Sequence, residues 1–452
     1  MIERKIIHDL ELWRTDKWRK PLILRGARQV GKTTVANEFG KTFANFLAFN
    51  LEDSSHRHAF EAEYSLDDKI SYLFALQHKA RLDGDTLIFI DEIQNSPSTI
   101  ALLRYFYEQH PDLHVIAAGS LLENVVDVNA SFPVGRVQYM AVRPCSFSEF
   151  AVALGLGEQL RLLRDRPEAS SVLHRDLMSA FNQYCMVGGM PEAVQRYVET
   201  RDIISLSSTY DTLLQTYRDD VEKYVSKGKL TDVVRYILRY GWSAAGDTIT
   251  MSDFMGSGFI STDVRRAFLT IEKAMLLELV YPTTSALAPY IPEMRRKPKL
   301  IWLDTGLVGY AARAQQEFIA SRDLMSTWRG KLAEHVVAQE LLTLSNRIDE
   351  RRGYWIRARS GNSAEVDFVL QHNSTLVPIE VKAGHNAHLR SIHSFIGNGT
   401  SDIAVRVWPE PYSVNELTSN VNNKPFKLVN LPFYMVGMLH EVLEHVERDE
   451  PS

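Results

Sequence analysis

The stretch that decides the fold reads Gly26-Ala27-Arg28-Gln29-Val30-Gly31-Lys32-Thr33. It follows an apolar run at residues 22–24 and leads into a helix-compatible segment at residues 34–39, which is the setting that a phosphate-binding loop (P-loop) requires. Backbone N–H groups at the start of such a helix point at the β-phosphate, while Lys32 adds charge and Thr33 offers a hydroxyl to a metal ion. The stretch predicts binding of a nucleoside triphosphate; the alternative is an ordinary glycine-rich turn.

The nucleotide-binding residues are predicted in two places, the loop with its first helical turn and the tip of a later strand. The loop residues are Gly26, Arg28, Gln29, Val30, Gly31, Lys32, Thr33 and Thr34. The later residue is Ser120, a sensor candidate, because a hydroxyl at a strand tip can lie near the γ-phosphate. An ordinary Gly-Ser turn is the alternative for Ser120.

An acidic pair follows a second apolar run about sixty residues further on. The run is Thr86-Leu87-Ile88-Phe89-Ile90, typical of a buried parallel strand, and Asp91-Glu92 ends it in the Walker B pattern. Asp91 is predicted to hold the Mg²⁺ that Thr33 also binds, and Glu92 to act as the base that polarises the attacking water. The alternative is a capped strand end with a solvated acidic pair.

Composition predicts a soluble, cytoplasmic chain of several domains. Of 452 residues, 45% are hydrophobic and the formal net charge is −5. No apolar run approaches the roughly 18 residues of a membrane span, and the charged start of the chain does not resemble a signal peptide. Cys145 and Cys185 have no CxxC partner, so we expect buried thiols and no zinc site.

Apolar runs that alternate with helical patterns predict an α/β fold with a parallel sheet and helices on both faces. The predicted strands cover residues 22–25, 46–50, 87–91 and 114–118. After them, Arg136 in Pro133-Val134-Gly135-Arg136 is a candidate finger that stabilises charge on the phosphates, in its own chain or across a subunit contact. Its alternative is an ion pair with a surface carboxylate.

Five short stretches together carry a family resemblance. They are the P-loop with its Arg28-Gln29 insert, Ile90-Asp91-Glu92-Ile93-Gln94, Ala118-Gly119-Ser120, Pro133-Val134-Gly135-Arg136 and Gly188-Gly189-Met190-Pro191. In these stretches the chain resembles a widespread prokaryotic group of AAA-type P-loop ATPases, whose C-terminal half usually has only the label of a domain of unknown function. The resemblance implies architecture more than physiology. We place an AAA-type ATPase domain with a helical lid at residues 1–225.

The middle segment, residues 226–320, is predicted to form a winged helix. Helical stretches at residues 230–240, 252–256 and 261–272 precede strand-like pieces at 280–282 and 300–304. The third helix, capped by Ser261-Thr262-Asp263, would enter a DNA groove through Arg265, Arg266 and Lys273. Residues 226–313 contain twelve Lys or Arg against eight Asp or Glu, including the cluster Arg295-Arg296-Lys297-Pro298-Lys299. Protein contact, and a solvated loop for the cluster, are the alternatives.

The C-terminal segment, residues 321–452, contains a predicted hairpin that carries three charged residues. Asp367 lies on the first strand, and Glu380 and Lys382 share one face of the second. Upstream, Glu334 lies near the start of a helix, beside a less specific His335. This Asp…Glu-x-Lys arrangement resembles the PD-(D/E)XK nuclease superfamily, which implies a small restriction-endonuclease-like α/β domain. There Asp367 and Glu380 would bind Mg²⁺ or Mn²⁺, Lys382 would activate water, and Glu334 would be the additional acid. A solvated Glu–Lys pair on an edge strand is the alternative.

Two functions therefore compete. The first is a Mg²⁺-dependent ATPase that couples nucleotide binding and hydrolysis to DNA binding and to metal-dependent cleavage by the C-terminal segment. The second is a nucleotide-dependent switch or scaffold whose nuclease-like segment is catalytically silent. A kinase fits less well, because no acceptor-binding element is identifiable and Glu92 suits hydrolysis. The expected partners are ATP, DNA and further copies of the chain, with no membrane.

Overall fold

The computed structural model describes residues 2–80, 85–119, 133–223, 228–313, 331–358, 364–384 and 389–448. The chain forms two compact units. The amino-terminal unit comprises Arg4–Arg143 and Asn346–Asp349, and the carboxyl-terminal unit comprises Met1–Glu3, Pro144–Ser345 and Glu350–Ser452. The division into three domains at residues 225 and 320 stays a prediction.

A five-stranded sheet forms the centre of the amino-terminal unit. Its strands are β1 Leu22–Arg25, β2 Asn45–Asn50, β3 Thr86–Asp91, β4 His114–Gly119 and β5 Gln138–Ala141. All of them run parallel, in the spatial order β2-β3-β4-β1-β5. Every residue of β1, β3 and β4 is buried, as expected for parallel strands covered on both faces. The predicted parallel α/β sheet is confirmed, and β5 is a strand that the sequence analysis missed.

The helices of this unit pack on that sheet. They are α1 Ile6–Thr15, α2 Lys32–Gly40, α3 Ser54–Glu61, α4 Leu66–Leu76 and α5 Pro97–Gln109, with a 3₁₀ turn at Ile93–Asn95. Ser96 caps α5 by accepting a hydrogen bond from the Thr99 N–H, and Pro97 occupies the first helical position. Phe49, Ile88 and Leu103 belong to one apolar cluster, in which each fully buried side chain contributes about 1.5–3 kcal/mol.

The carboxyl-terminal unit begins with a series of helices. They are α6 Phe147–Ala153, α7 Gly157–Asp165, α8 Ser170–Val187, α9 Pro191–Thr200 and α10 Ser207–Lys223. A capping box formed by Ser146 and Glu149 starts α6. Both cysteines are free and buried, as expected. No helix among the described residues is long and apolar enough to cross a membrane.

The next part of this unit has two helices and a small antiparallel sheet. Its elements are α11 Lys229–Tyr240, α12 Ser261–Lys273, β6 Leu277–Val280 and β8 Lys299–Trp302, with 3₁₀ turns at Gly241–Ala244 and Phe254–Gly256. The helices predicted at residues 230–240 and 261–272 are found, whereas the stretch at 252–256 forms only a 3₁₀ turn in which Met255 has a non-helical backbone. β6 begins earlier than the piece placed at residues 280–282. The predicted cap is wrong, because Ser261 is already the first helical residue and no side chain caps α12.

A seven-stranded sheet completes the unit. Its strands are β7 Pro282–Thr283, β9 Gly353–Ile356, β10 Glu365–His372, β11 Thr375–Val381, β12 Ile403–Trp408, β13 Ser413–Thr418 and β14 Pro425–Pro432. They lie in the order β13-β14-β12-β11-β10-β9-β7. The hairpin of β10 and β11 is antiparallel, as predicted, and β11-β12-β14 run parallel. The accompanying helices are α13 Thr305–Ala311, α14 Lys331–Leu342, α15 Arg390–Asn398 and α16 Leu439–Arg448, with a 3₁₀ helix at Phe433–Met438.

A buried ion pair connects β6 to the start of β9. The Arg352 guanidinium contacts the Glu278 carboxylate at 2.5 Å and donates a second bond to the Ala338 carbonyl, and both charged side chains are less than a tenth exposed. Removing one partner of such a pair leaves a buried charge without compensation. We therefore expect Glu278→Ala to lower the free energy of unfolding by about 3–5 kcal/mol.

Chemical denaturation of the whole chain tests this expectation, with Glu158→Ala as the control. Glu158 pairs with Arg161 on the surface, where both side chains are largely exposed, and such pairs contribute only about 0–1 kcal/mol. Equal losses in the two variants would contradict the structural importance of the buried pair.

Candidate functional site

The P-loop connects β1 to α2 at the carboxyl edge of the parallel sheet. Gly31, which precedes α2, has a φ of 95°, a left-handed conformation that favours glycine. Gly26 is required for a different reason, because a Cβ there would lie 2.3 Å from the Val142 carbonyl oxygen. Glycine therefore permits the left-handed backbone at one position and the close approach to Val142 at the other. Neither residue has a side chain that would fill space needed by phosphate oxygens.

Lys32 lies at the start of α2, and its ammonium is held inside the loop. Its Nζ donates hydrogen bonds to the carbonyl oxygens of Gly26 at 2.9 Å and Ala27 at 2.8 Å, and the residue is only 8% exposed. A positive charge fixed beside N–H groups at a helix start suits a polyphosphate. Gln29 is exposed at the tip of the loop with a positive φ of 63°.

Thr33 and Asp91 join the P-loop to the end of β3. The Thr33 hydroxyl donates to Asp91 Oδ2 at 2.6 Å, and the backbone N–H of Glu92 donates to Asp91 Oδ1 at 3.0 Å. Burial raises the pKa of the Asp91 carboxyl above its ordinary value, while the bond from Thr33 acts in the opposite direction. A hydroxyl and a carboxylate in contact are hard oxygen ligands, so this pair fits Mg²⁺.

Glu92 has a left-handed backbone with a φ of 50°, which turns the chain directly after β3. Its carboxylate accepts a short hydrogen bond from the Gln94 side-chain amide. Gln94 is itself buried and was not assigned a role from sequence, although it lies in the stretch that carried the family resemblance. Gln94 therefore positions the residue that we predict to be the base.

Arg4 is a supporting residue that sequence analysis did not select. Its guanidinium donates to the carbonyl oxygens of Val30 at 3.0 Å and Arg143 at 2.6 Å. One side chain thus ties the P-loop to the segment that follows β5. Only tertiary structure brings these residues together, and no local pattern marks Arg4.

Arg136 does not lie near the P-loop of its own chain. Arg136 precedes β5, whose first residue, Gln138, pairs with Leu22, the first residue of β1. Arg136 therefore lies at the amino edge of the sheet, whereas the P-loop lies at the carboxyl edge. There its guanidinium contacts Glu108 at 2.5 Å. A finger role within the same chain is wrong for this position, and a role across a subunit contact stays a prediction. Ser120 lies outside the described residues.

The close approach at Gly26 gives a testable prediction. We expect Gly26→Ala to weaken ATP binding by at least about tenfold, because the added Cβ displaces the loop from Val142. Calorimetric titration with Mg²⁺-ATP measures the effect. Gly157→Ala is the matched control, since its Cβ meets no atom closer than 3.8 Å. Unchanged affinity in Gly26→Ala would argue against a rigid loop.

The carboxyl-terminal unit brings together the four charged residues predicted from the hairpin and the helix. Asp367 on β10 lies across from Glu380 on β11, one residue along the hairpin from the paired Phe368 and Ile379. The Oδ2 atom of Asp367 accepts a hydrogen bond from the Val381 N–H at 2.8 Å. Glu380 contacts the Lys382 ammonium at 2.6 Å. The alternative of a solvated pair does not hold for Glu380, which is 5% exposed.

Glu334 on α14 completes this acidic cluster. Burial raises the pKa of Glu334 and of Glu380 to about 7 each, and the nearby Asp367 carboxylate adds to both shifts. Burial also raises the pKa of Asp367. His335 beside Glu334 is structural, since its ring accepts from the Trp302 N–H and contacts Thr305, and burial lowers its pKa to about 3.

An unpredicted cation lies inside the acidic cluster. Lys299, at the start of β8, contacts Glu365 at 2.8 Å, Glu334 at 3.0 Å and Asp367 at 3.8 Å. Its side chain is 3% exposed, so the interpretation of Lys299 as part of a phosphate-contacting basic loop is wrong. Across the described ranges, no group of three His, Cys, Asp or Glu residues is placed to hold a metal ion. The carboxylates are suitable ligands, but beside Lys299 this arrangement does not fit a divalent cation.

The fold and the first site define a P-loop nucleoside-triphosphatase-like domain. Residues 18–151 match the family model described as an AAA domain, which agrees with the Walker A and Walker B geometry. Residues 178–317 and 329–432 match two domains of unknown function, DUF8612 and DUF4143. One segment of the chain thus matches an AAA domain model, and two further segments match models whose descriptions give no function.

Comparison with other proteins adds no functional argument. No curated protein matches the chain. Among solved structures, the Walker-type ATPase PABY2304 of Pyrococcus abyssi is 12% identical over 69% of this chain and 96% of that one, with a TM-score of 0.41. The RuvB Holliday junction branch migration motor of Thermotoga maritima is 15% identical over 62% of this chain and 90% of that one, with a TM-score of 0.28.

Proposed function

We propose that the chain is a Mg²⁺-dependent ATPase that couples nucleotide binding and hydrolysis to contact with DNA. The observation that carries the first half is the 2.6 Å contact of Thr33 with Asp91, which connects the P-loop to the strand end where Glu92 follows. When bound, Mg²⁺ would neutralise charge on the phosphates. Lys32 and the loop amides bind the polyphosphate, and Glu92, oriented by Gln94, accepts a proton from the attacking water.

Exposed arginines support the DNA contact. Arg265 and Arg266 are exposed on α12, and its opposite face buries Val264 and Phe268. Neither guanidinium has a hydrogen bond or a carboxylate partner among the described residues. Arg295 and Lys297 are exposed on the loop before β8, so this loop also presents positive charge for phosphates. A winged-helix arrangement of α11, α12, β6 and β8 is part of this proposal.

Duplex binding measured by fluorescence anisotropy tests the DNA contact. The double variant Arg265→Gln/Arg266→Gln is expected to weaken binding by at least about tenfold and to reduce the slope of affinity against salt. The control is Arg161→Gln, which removes an exposed cation that already pairs with Glu158. A double variant that binds DNA like the control would overturn this part of the proposal.

The coupling itself is tested by the rate of ATP hydrolysis with and without DNA. We expect single-stranded, duplex or branched DNA to raise the rate of the wild-type chain several-fold, and the arginine double variant to lose that stimulation while it keeps the basal rate. Equal rates in all conditions would favour a switch that responds to another partner. A homo-oligomer in which Arg136 serves a neighbouring copy is also part of the proposal.

The second candidate function is a nucleotide-dependent switch with a silent nuclease-like segment. The specific observation that favours it is Lys299, which occupies the cluster that cleavage would need for a metal ion. Incubation of DNA with the wild-type chain and Mn²⁺ tests whether the nuclease-like segment is silent. Cleavage that Asp367→Ala and Glu380→Ala abolish would support a nuclease, and intact DNA of every form would support the silent segment.

A further inference from the structure

Lys299 has the environment of a bound cation although it belongs to the chain itself. Its ammonium lies within 4 Å of the carboxylates of Glu334, Glu365 and Asp367. The rings of Tyr354 and Phe368 lie 5.0 Å and 5.7 Å from the same nitrogen. Carboxylates and aromatic faces together are the surroundings that an ammonium ion prefers in a protein interior.

Among the described residues, the acidic cluster has more carboxylates than ammonium groups. It contains the carboxylates of Glu334, Glu365, Asp367 and Glu380, and the ammonium groups of Lys299 and Lys382. One oxygen of Glu380, Oε2, is buried without a hydrogen-bond partner in the described part of the chain, and the residue is only 5% exposed. A buried carboxylate oxygen without a partner is costly and indicates a site that accepts a further cation or proton.

We propose that the Lys299 ammonium takes the place of a divalent cation at this acidic cluster, so that the cluster does not bind a metal ion while Lys299 is present. The proposal rests on the proposed interpretation of Asp367 and Glu380 as a nuclease-like metal site. A divalent cation bound to Asp367 and Glu380 would lie close to the ammonium group, and in a buried environment two positive charges at that separation repel strongly. The cluster therefore holds either the lysine or the metal.

Lys299 comes from a different part of the chain than the acids. It is the first residue of β8, where its backbone pairs with Val280, and it follows the exposed residues Arg295–Lys297 and the buried Pro298. It belongs neither to the hairpin nor to the helix that supplies the carboxylates.

Mn²⁺ binding, followed by electron paramagnetic resonance of the free ion, tests the proposal without nucleotide or DNA. The full-length chain carries Asp91→Asn so that the P-loop site does not contribute. The buffer is held at about pH 8, above the pKa of about 7 to which burial raises the Glu334 and Glu380 carboxyls. We expect no tight Mn²⁺ site in this background, and one site at least about a hundredfold tighter after Lys299→Gln, which keeps hydrogen-bond donors but removes the charge.

Two further variants identify the site. Adding Glu380→Gln to Lys299→Gln should abolish the gained Mn²⁺ binding, and Lys297→Gln, which removes an exposed cation from the adjoining loop, should gain nothing. Tight Mn²⁺ binding at the cluster while Lys299 is present would overturn the proposal, even if the Lys299 variant does not fold. Unchanged or weaker binding in a folded Lys299→Gln chain would also overturn it.

These measurements distinguish a failure of the proposal for Lys299 from a failure of the proposed ATPase and nuclease functions. A Lys299→Gln chain that binds Mn²⁺ but leaves DNA intact would refute nuclease activity and support the role of Lys299. A Lys299→Gln chain that hydrolyses ATP normally but gains no Mn²⁺ site would refute the role of Lys299 and support ATPase activity.

Discussion

ATP hydrolysis is expected to fall by on the order of a hundredfold or more when Lys32 is replaced by alanine, because the variant loses the positive charge that the loop holds beside the phosphates. The side chain of Lys32 is buried, and its Nζ is fixed by the carbonyls of Gly26 and Ala27, so no neighbouring flexible lysine can replace it. A steady-state assay of phosphate release with saturating Mg²⁺ and ATP measures the loss.

Lys41→Ala is the matched control for Lys32→Ala. Lys41 lies at the other end of the same helix, its side chain is 65% exposed, and it pairs with Glu38 at 2.6 Å. Such a surface pair contributes about 0–1 kcal/mol, so the rate should stay at the wild-type value. A folded Lys32→Ala chain that hydrolyses ATP as fast as Lys41→Ala would refute the assignment of the P-loop.

Glu92→Gln is expected to separate ATP binding from hydrolysis. The amide keeps the size of the side chain but cannot accept a proton from water, so the rate should fall by about 10²–10⁴-fold. Affinity for Mg²⁺-ATP should stay within a few-fold of wild type, since Thr33 and Asp91 remain in contact. Comparison of phosphate release with calorimetric titration reports the two quantities separately.

The control for this variant is Glu63→Gln, which makes the same chemical change at an exposed position before α4. It should leave both binding and hydrolysis unchanged. If Glu92→Gln loses binding and hydrolysis together, Glu92 belongs to the nucleotide-binding residues, and the base must be another group.

Sequence predicted the contact between the P-loop and the end of β3, because both elements are local. The P-loop lies within one short stretch, and the strand that ends in Asp91 is marked by a continuous apolar run. Parallel strands bring their carboxyl ends to one edge of the sheet, so the meeting of Thr33 with Asp91 follows from the pattern. β5 lacks such a run, since two of its four residues are half-buried, and it was missed for that reason.

Sequence predicted three acids of the second cluster, Glu334, Asp367 and Glu380, but it missed Glu365 and misjudged Lys299. Asp367, Glu380 and Lys382 lie on one hairpin, where the alternation of side chains fixes their faces. Lys299 and Glu365 meet only through the packing of β8 against the sheet, and no spacing in the sequence encodes that contact. A lysine next to arginines suggests a solvated basic loop, and only burial shows that it points inward.

Calorimetric titration of Mg²⁺-ATP into the wild-type chain shows whether the P-loop binds a nucleotide. We expect saturable heat from one nucleotide per chain, and loss of that heat when the same titration is made into Lys32→Ala. A wild-type titration that shows only the heat of dilution would refute the nucleotide site.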